Sequence, residues 1–163
     1  MYLATSNDTR PDIRRMVAAC LQNGKETALG QHINPLHWEQ LAPYLHPTAL
    51  APAQVQISQG ATDRAVYFIE SGSLSVHYED AAGRVRLAIV NAGSAVGEGS
   101  FFSHLPRNAT VQAAGACQVW ALTPMRFAEL SHRQPGTALA VTQALGALVA
   151  MRMLDRRKRV SVT

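Results

Sequence analysis

Residues 97–111 read Gly97-Glu98-Gly99-Ser100-Phe101-Phe102-Ser103-His104-Leu105-Pro106-Arg107-Asn108-Ala109-Thr110-Val111, and this stretch decides the fold. It holds one acid, Glu98, and one arginine, Arg107, on either side of a short segment that glycines open and Pro106 closes. Its central apolar residues predict a single helical turn that packs inward: Phe101, Phe102 and Leu105. Segments with β character precede and follow it, at 89–96, 109–113 and 118–122.

A helical turn set between strands presents free backbone N–H groups at its start, and these favour an anion. Arg107 adds a planar fork suited to phosphate. A carboxylate that cannot approach the same phosphate is left to accept hydrogen bonds from hydroxyls, which is the role we expect for Glu98. Phosphate plus hydroxyl describes the sugar-phosphate end of a nucleotide. The alternative is a structural ion pair between Glu98 and Arg107 at the base of a loop.

Outward from this stretch, apolar residues alternate with a period of two. Val55 and Ile57 form one such series, and Leu74, Val76 and Tyr78 form another, as half-buried strands should. Glycine turn signals recur about every dozen residues, at 60, 72, 83 and 93. This regular spacing of turns predicts a β-sandwich or small barrel rather than βαβ units.

Helical patterns lie at both ends of the chain. A helix is expected over 11–21, with Pro11 in its first turn. Residues 25–33 are expected to form either a short helix or a loop. Asn34-Pro35 predicts the start of a further helix. Prolines 43, 47 and 52 are expected to break regular structure after that helix. Thr123-Pro124 predicts another start, and Pro135-Gly136 separates that helix from a long one over 137–159. Its apolar stripe is too wide for one contact, so part of it should meet a second copy of the same helix: Val141, Leu145, Leu148 and Val149.

Composition and charge limit the function. The chain has 163 residues, 47% of them hydrophobic, which fits one domain with added helices. The formal charge of +4 equals the net charge of residues 152–159 alone, so the body is near neutral and offers no basic face for nucleic acid. The basic tail, residues 156–159, either contacts nucleic acid or anionic lipid or is a solvated helix end.

The chain is expected to be cytoplasmic. No apolar run reaches the roughly 18 residues that span a bilayer, and no signal peptide is evident at the N-terminus. Two distant cysteines, Cys20 and Cys117, predict free buried thiols in a reducing compartment.

Catalysis and metal binding are not expected. The six histidines show no metal-ligand spacing, which argues against a cupin-like metal barrel. No Ser-His-Asp set, activated cysteine or carboxylate pair is evident. We therefore expect neither an enzyme nor a resident metal or cofactor.

Over roughly residues 41–154 the chain resembles the cyclic nucleotide-binding domain family, the β-roll of cAMP receptor transcription factors, cyclic-nucleotide-dependent kinases and gated channels. The landmarks, in order, are Gly60, Val66-Tyr67-Phe68-Ile69, Ser71-Gly72-Ser73-Leu74, Gly93, Gly97-Glu98, Pro106-Arg107-Asn108-Ala109-Thr110-Val111 and Phe127. The resemblance implies a mainly β double-stranded β-helix, a jelly-roll-like roll, with N-terminal helices and a long C-terminal helix. Its implied divisions are 1–40 as an N-terminal helical extension, 41–134 as the β-roll, and 135–163 as a lid and dimerisation helix with a basic tail.

The resemblance also implies roles. Arg107 would pair with the cyclic phosphate, Glu98 would accept from the ribose 2′-hydroxyl, and the N–H groups of Gly99 and Ser100 would assist on the phosphate. The remaining implied site residues are Gly97 in the turn, Asn108 and Ala109 beside base and phosphate, Val76 and Leu87 as pocket walls, and Arg152 as part of a lid over the base. Thr110 is either a ligand contact or a structural strand residue, and Phe101 and Phe102 are either core residues or base-stacking platforms.

Two positions depart from the family pattern. The family usually has a bulky aliphatic residue at Gly99 and a small residue at Asn108, which leaves the choice of nucleotide open. We also expect no helix-turn-helix domain, since the chain ends at Thr163.

The implied function is a cytoplasmic regulatory or sensor protein in signal transduction. It would bind cAMP or cGMP, form a homodimer through the C-terminal helix, and relay occupancy to an unidentified protein partner. The alternatives are a ligand-independent interaction module of the same fold, and a transcriptional regulator acting through a partner or the basic tail. Direct DNA binding and membrane binding are not expected.

Overall fold

The computed structural model describes residues 11–83 and 85–160, without the side chains of Arg86, Leu87 and residues 156–160. The helices are α1 (Arg14–Gln22), α2 (Ala28–His32), α3 (Pro35–Leu41), α4 (Glu98–Ser103), α5 (Pro124–Arg133) and α6 (Pro135–Val160), with a 3-10 turn at Ala42–Tyr44. The strands are β1 (His46–Leu50), β2 (Val55–Ile57), β3 (Val66–Ser71), β4 (Ser73–Glu79), β5 (Val85–Asn91), β6 (Ala95–Val96), β7 (Thr110–Ala113) and β8 (Cys117–Leu122).

The strands form two antiparallel four-stranded sheets, in the orders β1-β8-β3-β6 and β2-β7-β4-β5. Apolar residues from both sheets make one core cluster, which includes Ile57, Ile69, Leu74, Val111 and Val119. The predicted mainly β roll with flanking helices is confirmed. The alternating pattern identified it because each strand buries one face between the sheets.

Tight turns join the strands where glycines were expected. Gly72, between β3 and β4, has a φ of +80°, and a Cβ there would lie 2.6 Å from the carbonyl oxygen of Ala116 and from Sγ of Cys117. A residue with a side chain would meet both a strained backbone and a steric clash at this turn.

The strand β1 was not predicted, because Pro47 was expected to break the chain. Pro47 lies in β1 and pairs with Trp120 of β8. β1 is an edge strand with β8 as its one neighbour, and an edge strand tolerates a residue that cannot donate to the ladder.

Helices α1 and α2 cover the outer face of the first sheet. Met16, Cys20 and Leu29 share a buried cluster with Phe68 of β3 and Trp120 of β8. Both cysteines are free and buried, as predicted, and burial raises the pKa of the Cys20 thiol to about 12.

The start of α1 differs from the prediction. The helix begins at Arg14 rather than Pro11, because Oδ1 of Asp12 accepts a hydrogen bond from the backbone N–H of Arg14 at 3.1 Å and holds the preceding chain in a turn. The ambiguous stretch 25–33 contains the short α2. The predicted cap at Asn34 is confirmed, since its Oδ1 accepts from the N–H of His37 at 2.8 Å.

The long helix α6 begins at Pro135 and ends at Val160. One side of it is buried against the other helices, at Val141, Ala144, Leu145 and Leu148. Its segment Pro135–Asp155 is long and apolar enough to span a bilayer by length and composition, with a mean hydropathy of 1.5 and 39% of the window buried. The segment contains no uninterrupted apolar run of that length, as predicted, because Thr142, Gln143 and Arg152 interrupt it; averaged hydropathy tolerates such residues, and a core helix passes the same test.

Candidate functional site

Nine of the predicted site residues line a cavity of about 140 Å³ between α4, the second sheet and α6. Its apolar walls are Ile57, Val76, Val90, Val96 and Val111. Its polar lining is Gly97, Glu98, Gly99, Ser100, Arg107, Asn108, Ala109 and Arg152. One arginine and one acid from the 97–111 stretch therefore share a cavity with an arginine of the C-terminal helix.

Arg107 is buried, with 4% of its surface exposed. Its Nη2 donates to Oδ2 of Asp63 at 2.6 Å and to the carbonyl oxygen of Ala65 at 2.8 Å, and its Nη1 donates to the carbonyl oxygen of Gly97 at 3.0 Å. Its Nε–H is buried without a partner in the described part of the chain. A buried donor without an acceptor is costly, so this atom is suited to an acceptor from outside the protein.

The turn before α4 requires glycine. Gly97 has a φ of +90°, and a Cβ there would lie 2.6 Å from the carbonyl oxygen of Ala65 and 2.8 Å from Nη1 of Arg107. Gly97 thus lets the chain pass directly over the guanidinium before α4 begins. The first N–H groups of a helix have no intrahelical acceptor, and Gly99 and Ser100, in the first turn of α4, line the same cavity.

The aromatic residues of α4 have different surroundings. Phe101 is buried and meets the ring of Phe127 edge-on, with 5.2 Å between centroids. Phe102 is 41% exposed, and Leu105 lies beyond the helix and is 65% exposed. The prediction that all three pack inward was wrong for Phe102 and Leu105, because α4 has only six residues and one side of it faces the core.

At the acidic end of the cavity, Arg152 joins two carboxylates. Its Nη1 donates to Oε1 of Glu98 at 2.6 Å, while Nε and Nη2 donate to the two oxygens of Glu26 at 2.9 and 3.0 Å. Nη2 also donates to Oγ of Ser94 and to the carbonyl oxygen of Ala95. The structure therefore places this guanidinium on the acid that was expected to bind the ribose.

The pKa shifts follow from this pairing. Burial disfavours the Glu26 carboxylate, but the hydrogen bonds and charge of Arg152, with a further bond from Ser94, outweigh it and lower the pKa of Glu26. Burial likewise disfavours the charged form of Arg152, yet its bonds to Glu26 and the charges of Glu98 and Glu26 raise its pKa. Glu26 and Arg152 are therefore both ionised at neutral pH.

The remaining predicted residues lie at the margins. Asn108 is exposed at the cavity rim and Ala109 is half-buried beside it. Thr110 opens β7, and its Oγ1 accepts from the N–H of Gln59 at 3.1 Å, away from the cavity lining. The side chains of Leu87 and of the basic tail lie outside the described residues. The backbone of Leu87 pairs with His77, whereas Val76 pairs with Ala88. Neighbouring positions of a strand face opposite sides of the sheet, so the prediction that Val76 and Leu87 form walls of one pocket was wrong.

Three polar residues of the site were not identified from the sequence. Asp63 pairs with Arg107 across 44 positions, and Glu26 and Ser94 pair with Arg152 across 126 and 58. Asp63 and Ser94 lie in loops, and Glu26 lies in a stretch whose pattern favours neither helix nor loop. No periodicity marks a loop residue, so the sequence contained no signal for these partners.

The family model described as cyclic nucleotide-binding domain matches residues 47–134, more than half of the chain. The chain belongs to the cyclic nucleotide-binding domain family. The match includes the stretch from Gly97 to Val111 and thus Glu98 and Arg107. It excludes Glu26 and Arg152, which the fold adds to the same site. Compared by sequence with curated proteins, the chain has no significant match.

Solved structures share this fold. A cyclic nucleotide-binding domain from Methylobacillus flagellatus superposes with a TM-score of 0.76 at 19% identity, over 83% of this chain and 80% of that one. The catabolite activator protein of Thermus thermophilus gives 0.71 at 22% identity, over 83% and 62%. The regulatory domain of Toxoplasma gondii PKA, solved with cAMP, gives 0.59 at 22% identity, over 71% and 42%. These likenesses establish the β-roll.

Two further features lie apart from this site. An open groove of about 580 Å³ runs between α1 and strands β1, β3 and β8, lined among others by Asp12, Arg15, Glu70 and Trp120. Despite its larger volume it contains none of the predicted site residues, so volume does not identify the site. Within the described residues, no group of three histidine, cysteine or acidic side chains is arranged to hold a metal ion.

Proposed function

We propose that this domain is a regulatory protein that binds cAMP or cGMP in the cavity between α4 and the second sheet. The observation that carries the proposal is the buried guanidinium of Arg107 with its unpartnered Nε–H. It shares one cavity with the start of α4 and with the carboxylate of Glu98. The Toxoplasma gondii relative solved with cAMP supports this ligand class.

In the proposed binding mode, the cyclic phosphate accepts hydrogen bonds from Arg107 and from the N–H groups of Gly99 and Ser100. The ribose 2′-hydroxyl donates to Glu98. Asn108 and Ala109 lie beside the base and phosphate, with Val76 as an apolar wall, and Thr110 keeps a structural role. Gly99 leaves the entrance open, because a Cβ there would meet no described atom within 4 Å.

The cavity volume indicates which part of the nucleotide is enclosed. Pockets that enclose a whole drug-sized ligand have volumes of roughly 300 Å³ or more, and this one measures about 140 Å³. We therefore assign the enclosed part to the sugar and phosphate and the open rim near Asn108 to the base.

The charges of the site explain how an anion would be held. Two arginines, 107 and 152, face three carboxylates, those of Asp63, Glu26 and Glu98. The site therefore has no excess positive charge, and the phosphate would be bound by directed N–H donors rather than by a net field.

The output we propose is a population shift in α6. Phe101 of α4 contacts Phe127 of α5, and Glu98 of α4 contacts Arg152 of α6. A ligand that fixes α4 would favour the conformation in which α5 and α6 are docked. A protein partner would recognise α6, and the domain would act by binding, without catalysis, in the cytoplasm.

The exposed side of α6 supports a homodimer. Leu139 and Met153 are 58% and 55% exposed, and between them Gln143, Gly146 and Ala150 also face outward. These five positions alternate spacings of four and three residues, the period of a coiled-coil seam, and the small residues at its centre would let two helices approach closely.

Isothermal titration calorimetry with cAMP and cGMP tests the binding proposal. Replacement of Arg107 by alanine should weaken the binding of whichever nucleotide binds by about 1.5–3 kcal/mol, the scale of a charge-assisted hydrogen bond. Arg126→Ala is the matched control, since Arg126 forms an exposed ion pair with Glu129 on α5, away from the cavity lining.

Failure to bind either nucleotide at about 50 µM would refute the proposed function and favour a ligand-independent module of the same fold. Unchanged affinity in Arg107→Ala would place the phosphate elsewhere.

A further inference from the structure

Arg152 is held mainly by groups other than Glu98. Of its five hydrogen bonds, two go to Glu26, one to Ser94 and one to the carbonyl oxygen of Ala95. The fifth reaches Glu98, and it uses Oε1. A ligand hydroxyl that binds Oε2 of Glu98 would leave the anchorage of Arg152 intact.

Glu26 owes its position to the connection between α1 and α2. Oδ1 of Asn23 accepts from the N–H groups of Lys25 and Glu26 at 3.0 and 2.9 Å, and Nδ2 of Asn23 donates to the carbonyl oxygen of Ala92 at 3.0 Å. This connection is thereby attached to the turn between β5 and β6, directly before Ser94. Oγ of Ser94 donates in turn to Oε2 of Glu26.

The geometry forms a chain of contacts from the N-terminal helices to the cavity. Glu26 and Arg152 are each only a quarter exposed, and the Glu98 side chain is 16% exposed. In such an environment the orientation of each group depends on its neighbours, because a buried charge must keep a partner. Without the carboxylate of Glu26, Nε of Arg152 would have no acceptor, while Nη2 would keep Ser94 and Ala95. The guanidinium would then turn toward the free oxygen of Glu98.

We propose that Glu26 is a positioning residue for nucleotide binding: it holds Arg152 so that Glu98 keeps Oε2 available to the ribose 2′-hydroxyl. This inference rests on the proposed function of the cavity. It assigns a part in ligand recognition to the N-terminal helices, which lie outside the family match at residues 47–134.

The test compares nucleotides with and without the 2′-hydroxyl. Calorimetry on the full chain measures the affinity of the wild type and of Glu26→Gln for cAMP, cGMP and their 2′-deoxy analogues. Glu26→Gln should lower the affinity for the 2′-hydroxyl nucleotide about tenfold and change that for the deoxy analogue by less than about twofold. Glu129→Gln, which removes the exposed partner of Arg126, should change neither.

The pattern of affinities separates the two proposals. Wild-type protein that binds neither cAMP nor cGMP refutes the proposed function and this inference with it. Wild-type binding with an equal loss for both nucleotide types in Glu26→Gln, or with no loss for either, refutes the inference alone.

Arg152→Lys covers the case in which circular dichroism shows that Glu26→Gln is unfolded. A lysine keeps the charge but cannot span the two carboxylates, so it should give the same loss that depends on the 2′-hydroxyl. A loss independent of that hydroxyl overturns the inference.

Discussion

The side chain of Arg107 is oriented entirely by contacts within the protein. Its guanidinium is held by one carboxylate and two backbone carbonyl oxygens, and these bonds fix its plane before any ligand arrives. Such preorganisation reduces the entropy lost on binding. The spacing of Glu98 and Arg107 was visible in the sequence, whereas Asp63, which orients Arg107, was not.

Gly93 offers a test at the residue scale of how α1 docks on the roll. Its φ is +85°, and a Cβ there would strike the carbonyl oxygen of Ala19 in α1. Gly93→Ala should therefore lower the free energy of unfolding by about 2–3 kcal/mol, since backbone strain and a clash with a main-chain atom add. Unfolding by denaturant measures this change in the free energy of unfolding.

Gly60→Ala is the control for this prediction. Gly60 has a similar φ of +83°, but a Cβ there would meet no described atom within 4 Å. Gly60→Ala should therefore lower the free energy of unfolding by only about 1 kcal/mol, the cost of the backbone conformation. Equal losses in the two variants would show that α1 does not press on this turn.

Among the elements, the short helix α4 was the least accessible to sequence analysis. Helical periodicity needs several turns to show which face is buried, and α4 has six residues. Phe101 and Phe102 therefore looked equivalent, although one contacts Phe127 and the other is exposed. The long α6 was easier to recognise as a helix, but its apolar stripe did not show which residues face a second copy: Val141, Leu145 and Leu148 are all fully buried within the domain.

The exposed seam of α6 gives a prediction at the same scale. Ala150→Glu should shift the protein from dimer to monomer, because the carboxylates of two closely packed helices would be brought together without partners. Analytical ultracentrifugation measures the mass in solution. Ala128→Glu, an exposed alanine of α5, makes the same chemical change off the seam and should leave the mass as in the wild type.

If the wild type sediments as a monomer, or if Ala150→Glu remains a dimer, α6 does not form the interface.

For the molecule as a whole, the sequence was sufficient for the class of fold and for most residues that line the cavity, but not for the side chains that orient its two arginines. Alternating strands and glycine turns identified the β-roll because those signals are local. The pairing of Glu26 with Arg152, 126 positions apart, is set by tertiary packing, which no local pattern records. The tolerance of β1 for Pro47 also depends on its place at a sheet edge.

This long-range pair predicts how stability depends on pH. The pKa of Glu26 is lower in the folded protein than in the unfolded chain. Its contribution is therefore fully present above the unfolded pKa and is lost as the pH falls through the folded value. Thermal unfolding of the wild type should lose more stability between neutral and acidic pH than that of Glu26→Gln, which has no carboxylate to titrate.

Glu129→Gln should show the same dependence of stability on pH as the wild type, since the ion pair of Glu129 with Arg126 is exposed and contributes little to stability. Parallel pH profiles for the wild type and Glu26→Gln would contradict the assignment of this acid sensitivity to Glu26.

The helices on the outer face of the first sheet have a consequence for the limits of the domain. A fragment cut to residues 47–134 would keep the strands and α5 but would uncover Phe68 and Trp120, which α1, α2 and α6 help to bury. It would also lose both Glu26 and Arg152. The segment by which the family is recognised is thus shorter than the segment that packs around this core.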